Sequence, residues 1–349
     1  MPFLSRLGLQ KRIMLYVTIG LVIIALVYTY VGLQAIEQST EMVFAERLTM
    51  AQTIAGQVDS LLEHVVDELH GTGAEVALAL ETGDTRGTQA ALKNLYHHWT
   101  VYHHFTEPCT VSLVEPEGQV IWSEPVRSGI VGTSVARYVD FQKLAHSEAP
   151  NVIHSPSGAV LDRPVVFVTL PVRRDGGAIA FLIGEIEPTH ASHRLAPSLN
   201  IAGSGYTAEL VDRDGEVLVS TEAGRQGKPS IHGRLFTDPI QARQADVRIH
   251  EMPGGDTGRG HIVAYAPLEH VPWSVYVEQK EDVALELPRL LRARLALFGL
   301  FALAAGLATA WLATRRVVRP VTQLIAASRR IAGGDLDHPI TVQGQDEIR

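Results

Sequence analysis

The chain has a single cysteine, Cys109, in 349 residues. No intrachain disulfide can form, and no Cys-x-x-Cys-His haem attachment can be written. Aromatic residues are sparse, at 6%. Charge is missing altogether from residues 13–33 and 295–313. At ~1.5 Å per residue, helices of these lengths cover about 30 Å, the thickness of a bilayer core. Their length and basic flanks argue against buried core helices. No small-x-small cleavage site follows the first run, so it reads as an uncleaved anchor rather than a signal peptide.

Acid is absent from residues 1–12, where Arg6, Lys11 and Arg12 precede the first run. Arg315, Arg316 and Arg319 follow the second. The positive-inside rule puts both flanks in the cytoplasm and residues 34–294 outside, although Arg289, Arg292 and Arg294 oppose it slightly. The expectation is a multi-pass protein of the inner (plasma) membrane, with lipid as the partner of its spans. Residues 34–294 hold 21 basic and 34 acidic side chains. That net charge disfavours nucleic acid, or an anionic membrane surface, as a partner of the outer segment.

Phe44, Leu48, Ala51, Ala55, Val58, Leu62, Val65 and Leu69 recur at alternating spacings of four and three. The stripe predicts a long helix that lies along its own domain, pairs with a second copy in a homodimer, or does both. An internal repeat follows. Residues 113–123 (LVEPEGQVIWS) match 210–220 (LVDRDGEVLVS) at an offset of 97. Each reads as strand, acidic turn ending in Gly, strand. Residues 166–172 (VFVTLPV) match 262–268 (IVAYAPL) at an offset of 96. Two matches in order imply tandem copies of one antiparallel unit of about 90 residues.

A membrane span, a long helix, two such units and a return span resemble the double Cache family of bacterial sensors over residues ~35–285. Ala264-Tyr265-Ala266-Pro267 through Trp273–Val277 resembles that family's closing hairpin. The resemblance implies an α+β fold: two tandem PAS-like antiparallel sheets on a long N-terminal helix, flanked by two transmembrane helices. A small-molecule pocket is then expected in the membrane-distal sheet. Residues 315–349 resemble the start of a HAMP signal-relay domain, a partial coiled coil. Pro320 stands near the first helix start, and Val317, Val321, Leu324, Ser328 and Ile331 form a heptad-like stripe. Gly333-Gly334-Asp335-Leu336 begins a connector, and Asp346-Glu347-Ile348 matches the pair that opens the second helix. Arg349 stands where the family usually has Gly. Pro320 and Glu347 are thus expected in signal relay. The expected divisions are a cytoplasmic end at 1–12, spans at 13–33 and 291–314, and a helix at 34–84. The distal unit is expected at 85–196, the proximal unit at 197–290 and HAMP at 315–349. A HAMP bundle needs both helices, so the chain reads as the input part of a longer protein. No kinase, cyclase or nucleotide motif is present, and no cofactor is called for.

Residues 96–105 read YHHWTVYHHF. Leu92, Leu95, Trp99 and Tyr102 make one buried helical face. His97 and His104 share a face but lie ~10 Å apart, too far to share one metal ion. Solvated histidines are the reading, and no metal site is expected. For the ligand, Arg137-Tyr138-Val139-Asp140-Phe141 resembles the segment that starts the helix over the distal Cache pocket. The family's amino-acid-binding motif is not met, because Tyr138 stands at its Arg position and Asp140 at its Trp position. His154, Ser155, Asp162 and Arg163 lie on or between the next strands and complete the candidate set. Arg137 and Arg163 point to a small anionic or zwitterionic ligand, a carboxylate for example.

The resulting expectation is the input portion of a transmembrane receptor. It binds a small extracytoplasmic ligand and signals through the second span and HAMP. By analogy the output is a histidine kinase of a two-component system; a methyl-accepting chemotaxis module or a diguanylate cyclase comes next. A membrane-anchored extracytoplasmic enzyme is the competitor of another class. It is disfavoured because no nucleophile–base pattern appears.

Overall fold

The computed structural model describes residues 9–101, 109–147, 150–155, 158, 164–187, 205–232, 244–251 and 260–332. It divides into two units: Val43–Ala284, and Met1–Met42 with Leu285–Arg349. Helix α1, Leu9–Thr82, contributes to both.

Unit Val43–Ala284 holds two five-stranded antiparallel sheets on the later turns of α1. Helix α2, Thr85–Val101, follows α1. The first sheet contains β1 (Cys109–Val114), β2 (Val120–Glu124), β3 (Asn151–Ser155), β4 (Val165–Arg174) and β5 (Gly177–Ile186), with the short helix α3 (Phe141–Ala145) before β3. The second contains β6 (Tyr206–Val211), β7 (Val217–Ser220), β8 (Asp246–Glu251), β9 (Gly260–Pro267) and β10 (Ser274–Lys280), and α4 (Glu281–Ala284) follows it. The strand orders, β2-β1-β5-β4-β3 and β7-β6-β10-β9-β8, are the same pattern twice. The sequence repeat therefore is a structural repeat. Its hairpins agree in detail: each has a register shift, after Leu113 and after Leu210. Each turn also needs its glycine, Gly118 at φ 88° and Gly215 at φ 84°, where other L-residues are strained.

Each sheet buries two faces. Cys109, Val111, Leu113, Val166, Val168, Leu170, Ala180 and Leu182 of the first sheet pack on α1 and α2, and the equivalent face of the second sheet joins the same core. The α1 stripe sits in this core: Ala51, Val65 and Leu69 are 0% exposed. Those side chains face the chain's own sheets, so a seam with a second copy along them is not open. The ring of Trp99 in α2 packs against β5, where a Cβ at Gly184 would stand 2.5 Å from its Cη2. Its Nε1 donates to Glu68 Oε2 of α1 at 2.6 Å, and the same carboxylate pairs with His98 at 3.0 Å. His97 is exposed, as a solvated histidine should be. Tyr102, His103 and His104 lie outside the described residues.

The other unit contains the two helices long and apolar enough to cross a membrane. Early α1 and α5 (Glu286–Ala313) run antiparallel. Gly32 faces Leu295, Gly299 faces Tyr28 and Gly306 faces Leu21. Glycine lets two apolar helices approach closely where little hydrophobic drive exists between them. After α5 comes one π turn, Thr314–Val318, and then α6, Arg319–Ala332. Pro320 explains the turn. It has no N–H to donate, and its ring collides with the carbonyl four residues back, so the helix widens there. Glu347 lies outside the described residues.

Candidate functional site

The outer face of the first sheet, away from α1, is half apolar and half polar. Val114, Val120, Phe141, Leu144, Val165, Phe167, Phe181 and Ile183 belong to its apolar cluster. Register places polar side chains beside them, because residues opposite one another in antiparallel strands share a face. Ser112 of β1 is opposite Ser123 of β2 and Ile183 of β5, and Ile183 is opposite Thr169 of β4. Thr110 is opposite Glu185, which is opposite Phe167. Thr110, Ser112, Ser123, Thr169 and Glu185 are all at most 2% exposed. The hydroxyls of Thr110, Ser112, Ser123 and Thr169 have no hydrogen-bond partner among the described residues. A buried hydroxyl without a partner costs about 1–3 kcal/mol. Four on one face, beside a buried carboxylate, are a set of donors and acceptors aimed at something other than the strands that carry them.

The segment before and through α3 covers this face. Tyr138 stacks against Phe167 with ring centroids 5.0 Å apart, and Phe141 against Phe181 at 4.8 Å. Tyr138 Oη donates to Gly158 O at 3.1 Å. Arg137 is exposed; its guanidinium lies 4.5 Å over the Tyr138 ring and donates to the Tyr138 hydroxyl. Arg137 and Tyr138 thus stand at the rim. Ser155 is buried opposite Val165, on the same face. Asp140 does other work, since its carboxylate caps α3 by accepting from Lys143 N at 3.1 Å. His154 is not brought to this face. It is opposite Val166, so it points to the helix side, where Nδ1 meets Asp212 Oδ2 of the second sheet's hairpin at 3.5 Å. Asp162 and Arg163 lie outside the described residues. The residues that sequence reading missed are Thr110, Ser112, Ser123, Thr169 and Glu185. The available signal was a polar residue at every second place in otherwise apolar strands, as in Cys-Thr-Val-Ser-Leu-Val.

On the equivalent face of the second sheet the carboxylates of Glu209 and Glu278 are held by neighbouring side chains. Glu209 accepts from Arg225 Nε and Ser230 Oγ, both at 3.0 Å. Glu278 accepts from His232 Nε2 at 2.8 Å and from His261 Nδ1. A carboxylate only accepts, so those ring nitrogens carry the protons. Burial pushes Glu278 up, but the hydrogen bonds and charge of His232 and His261 outweigh it and leave its pKa lowered. His250, beside His232 at 5.7 Å between rings, is lowered by burial and by His232. Burial raises the Tyr276 and Tyr265 hydroxyls. A cavity of about 1650 Å³ also opens between α1 and the second sheet. Its buried Asp59 already accepts from the N–H groups of Glu269 at 2.8 Å and His270 at 3.3 Å.

A twice-repeated PAS-like sheet, two apolar helices and a helix resuming after them define a class: a membrane receptor with an extracellular domain. Residues 312–349 match the HAMP domain family. The ligand-binding domain of the Pseudomonas fluorescens chemoreceptor CtaA, solved with L-isoleucine, is 17% identical and has a TM-score of 0.52. That likeness covers 71% of this chain and 96% of that one, and it establishes the fold. The ligand-binding domain of the Pseudomonas aeruginosa PAO1 chemoreceptor PctB, in complex with L-Arg, is 13% identical at a TM-score of 0.49, over 70% of this chain and 94% of that one. Methyl-accepting chemotaxis protein McpQ of Pseudomonas putida is 45% identical over 47 residues, which are 14% of this chain and 7% of McpQ. The chain therefore has the fold of these ligand-binding domains, followed by sequence that matches the HAMP family.

Proposed function

We propose that this receptor binds a small polar molecule on the outer face of the first sheet. The carrying observation is the set of four buried hydroxyls, those of Thr110, Ser112, Ser123 and Thr169, with no partner among the described residues. A ligand's donors and acceptors would satisfy them. Arg137 at the rim suits an anionic end, so an organic anion or a zwitterion fits. The fold-mate CtaA is in complex with an amino acid, which supports the class but not the compound.

Ligand closure of α3 onto the first sheet is relayed through the second apolar helix and the π turn into HAMP, in a homodimer of the bacterial inner membrane. The McpQ similarity favours a methyl-accepting output module, and a histidine kinase is the second reading. The test is thermal unfolding of the detergent-purified chain with amino acids, amines, organic acids and neutral metabolites. At a hundredfold excess over Kd a ligand adds about 2.7 kcal/mol of stability. Stabilisation by a polar compound with an anionic group, reduced in Thr169→Val, is the expected result. Hits confined to amines, or an undiminished response in Thr169→Val, would overturn the proposal.

A further inference from the structure

We infer that His154, Asp212 and Glu216 form a divalent-metal site joining the two sheets of the unit Val43–Ala284. The site is separate from the outer face of the first sheet and does not depend on that reading. His154 comes from β3, the edge strand of the first sheet, and the two carboxylates come from the β6–β7 turn of the second. One imidazole nitrogen and one carboxylate oxygen from each acid lie within 4.8 Å of one another. Ligands around a zinc ion stand roughly 3–3.5 Å apart, given bonds of about 2.0–2.2 Å. Side-chain rotations of about 1 Å close the difference.

Two features make this more than a chance meeting of charges. The turn fixes Asp212: its Oδ1 accepts from Asp214 N at 2.9 Å and Glu216 N at 2.8 Å, which leaves Oδ2 toward His154. Outer hydrogen bonds of this kind orient a metal-binding carboxylate. The His154 side chain is only 4% exposed, yet its Nε2 has no partner among the described residues, and Nδ1 is 3.5 Å from Asp212. That distance is long for a hydrogen bond. A buried imidazole with neither nitrogen well bonded is costly as it stands, and a cation between the three groups removes the cost. The repeat sharpens the point. At the offset of 97, Asp212 corresponds to Glu115 and Glu216 to Gln119, so the first copy's turn lacks this pair. The site belongs to the contact between the copies, not to the repeated unit.

One imidazole with two carboxylates suits Zn²⁺ or Mn²⁺, whereas Ca²⁺ and Mg²⁺ favour all-oxygen sites. Bound there, the ion ties the first sheet's edge to the second sheet's turn and stiffens their docking. The experiment uses the full chain in detergent, stripped with chelator and titrated with ZnCl2, MnCl2, CaCl2 and MgCl2. One Zn²⁺ per chain, with a raised melting temperature and little response to Ca²⁺ or Mg²⁺, is expected. His154→Gln and Glu216→Gln should each weaken Zn²⁺ at least tenfold. Asp212→Asn keeps the turn's acceptor, so it should weaken the metal while its metal-free melting temperature stays near the parent's. His261→Gln, in the histidine cluster of the second sheet, should leave affinity unchanged. X-ray absorption of the zinc-loaded parent should show a single imidazole with oxygen ligands, a readout that needs no variant to fold. Absence of saturable binding leaves only an ion pair and overturns the proposal. So does parent-like affinity in both His154→Gln and Glu216→Gln, or an absorption spectrum with several imidazoles.

Discussion

Thr169→Val separates a binding face from an ordinary core. Thr169 is 0% exposed on β4, and its hydroxyl has no partner among the described residues. Valine has the same shape, suits a strand and carries no group that needs a partner. In the ligand-free protein the substitution removes an unsatisfied buried hydroxyl, which costs about 1–3 kcal/mol. Stability should therefore rise, by about 1 kcal/mol if local relaxation already recovers part of the cost. For a unit of this size that is about 2–4 °C in melting temperature. Ligand binding should move the other way, because one of its hydrogen-bonding groups is gone, and a loss of about 1 kcal/mol weakens affinity roughly fivefold. The assay is thermal unfolding of parent and variant, with and without the stabilising compound found by screening. A stabilised variant with a smaller ligand shift is the signature of stability given up for function. A destabilised Thr169→Val would show that the hydroxyl is satisfied in solution, and the reasoning behind the site would fail.

Other perturbations test the scaffold. Gly184→Ala puts a Cβ 2.5 Å from the Trp99 ring, so it should destabilise by about 1–3 kcal/mol in chemical denaturation, and a neutral result would mean Trp99 does not lie on β5. Asp59→Ala removes the acceptor for Glu269 N and His270 N and should cost about 1.5–3 kcal/mol, measured the same way. Acid should destabilise the second sheet through two groups of the same sign. His250 has a lowered pKa beside His232, His261 and Glu278, so the unfolded chain binds more protons and stability falls as pH drops below about 6.5. Glu278 is also lowered, so its contribution is present above about 4.5 and lost as pH falls further. Melting curves from pH 7 to 4 should show the decline, and His250→Asn should flatten its upper part; identical slopes would remove His250 from the account. Reporter fusions after Gly71 and after Arg349 should report opposite compartments, and matching signals would refute the topology.

Much of the architecture needed only local chemistry to read. Two charge-free runs, a stripe of period three and four, and two acidic turns closed by Gly118 and Gly215 are one-dimensional signals. They specified the apolar helices, α1 and the repeated hairpins, because helix, strand and turn preferences act over a few residues. Pro320 was legible as standing near the start of the helix after the second span, but only the structure showed the π turn that precedes it. The stripe did not say what it would pack against, since a heptad records an apolar face and not its partner. The chain's own sheets fill that role for Ala51 through Leu69. The candidate site divides in the same way. Arg137, Tyr138 and Ser155 were legible by position and do stand at or on the outer face. His154 was one residue out of phase with it: a strand alternates faces at every step, so its neighbour Ser155 turns to the apolar outer face while His154 meets Asp212 from the second sheet. Thr110, Ser112, Ser123, Thr169 and Glu185 come from four strands whose order along the chain is not their order in the sheet. Only strand pairing sets Thr110 against Glu185 and Ile183 between Ser112 and Thr169. Alternation in a single strand marks which residues share a side, but long-range hydrogen bonding decides which strands share it, and that is a property of the folded sheet alone.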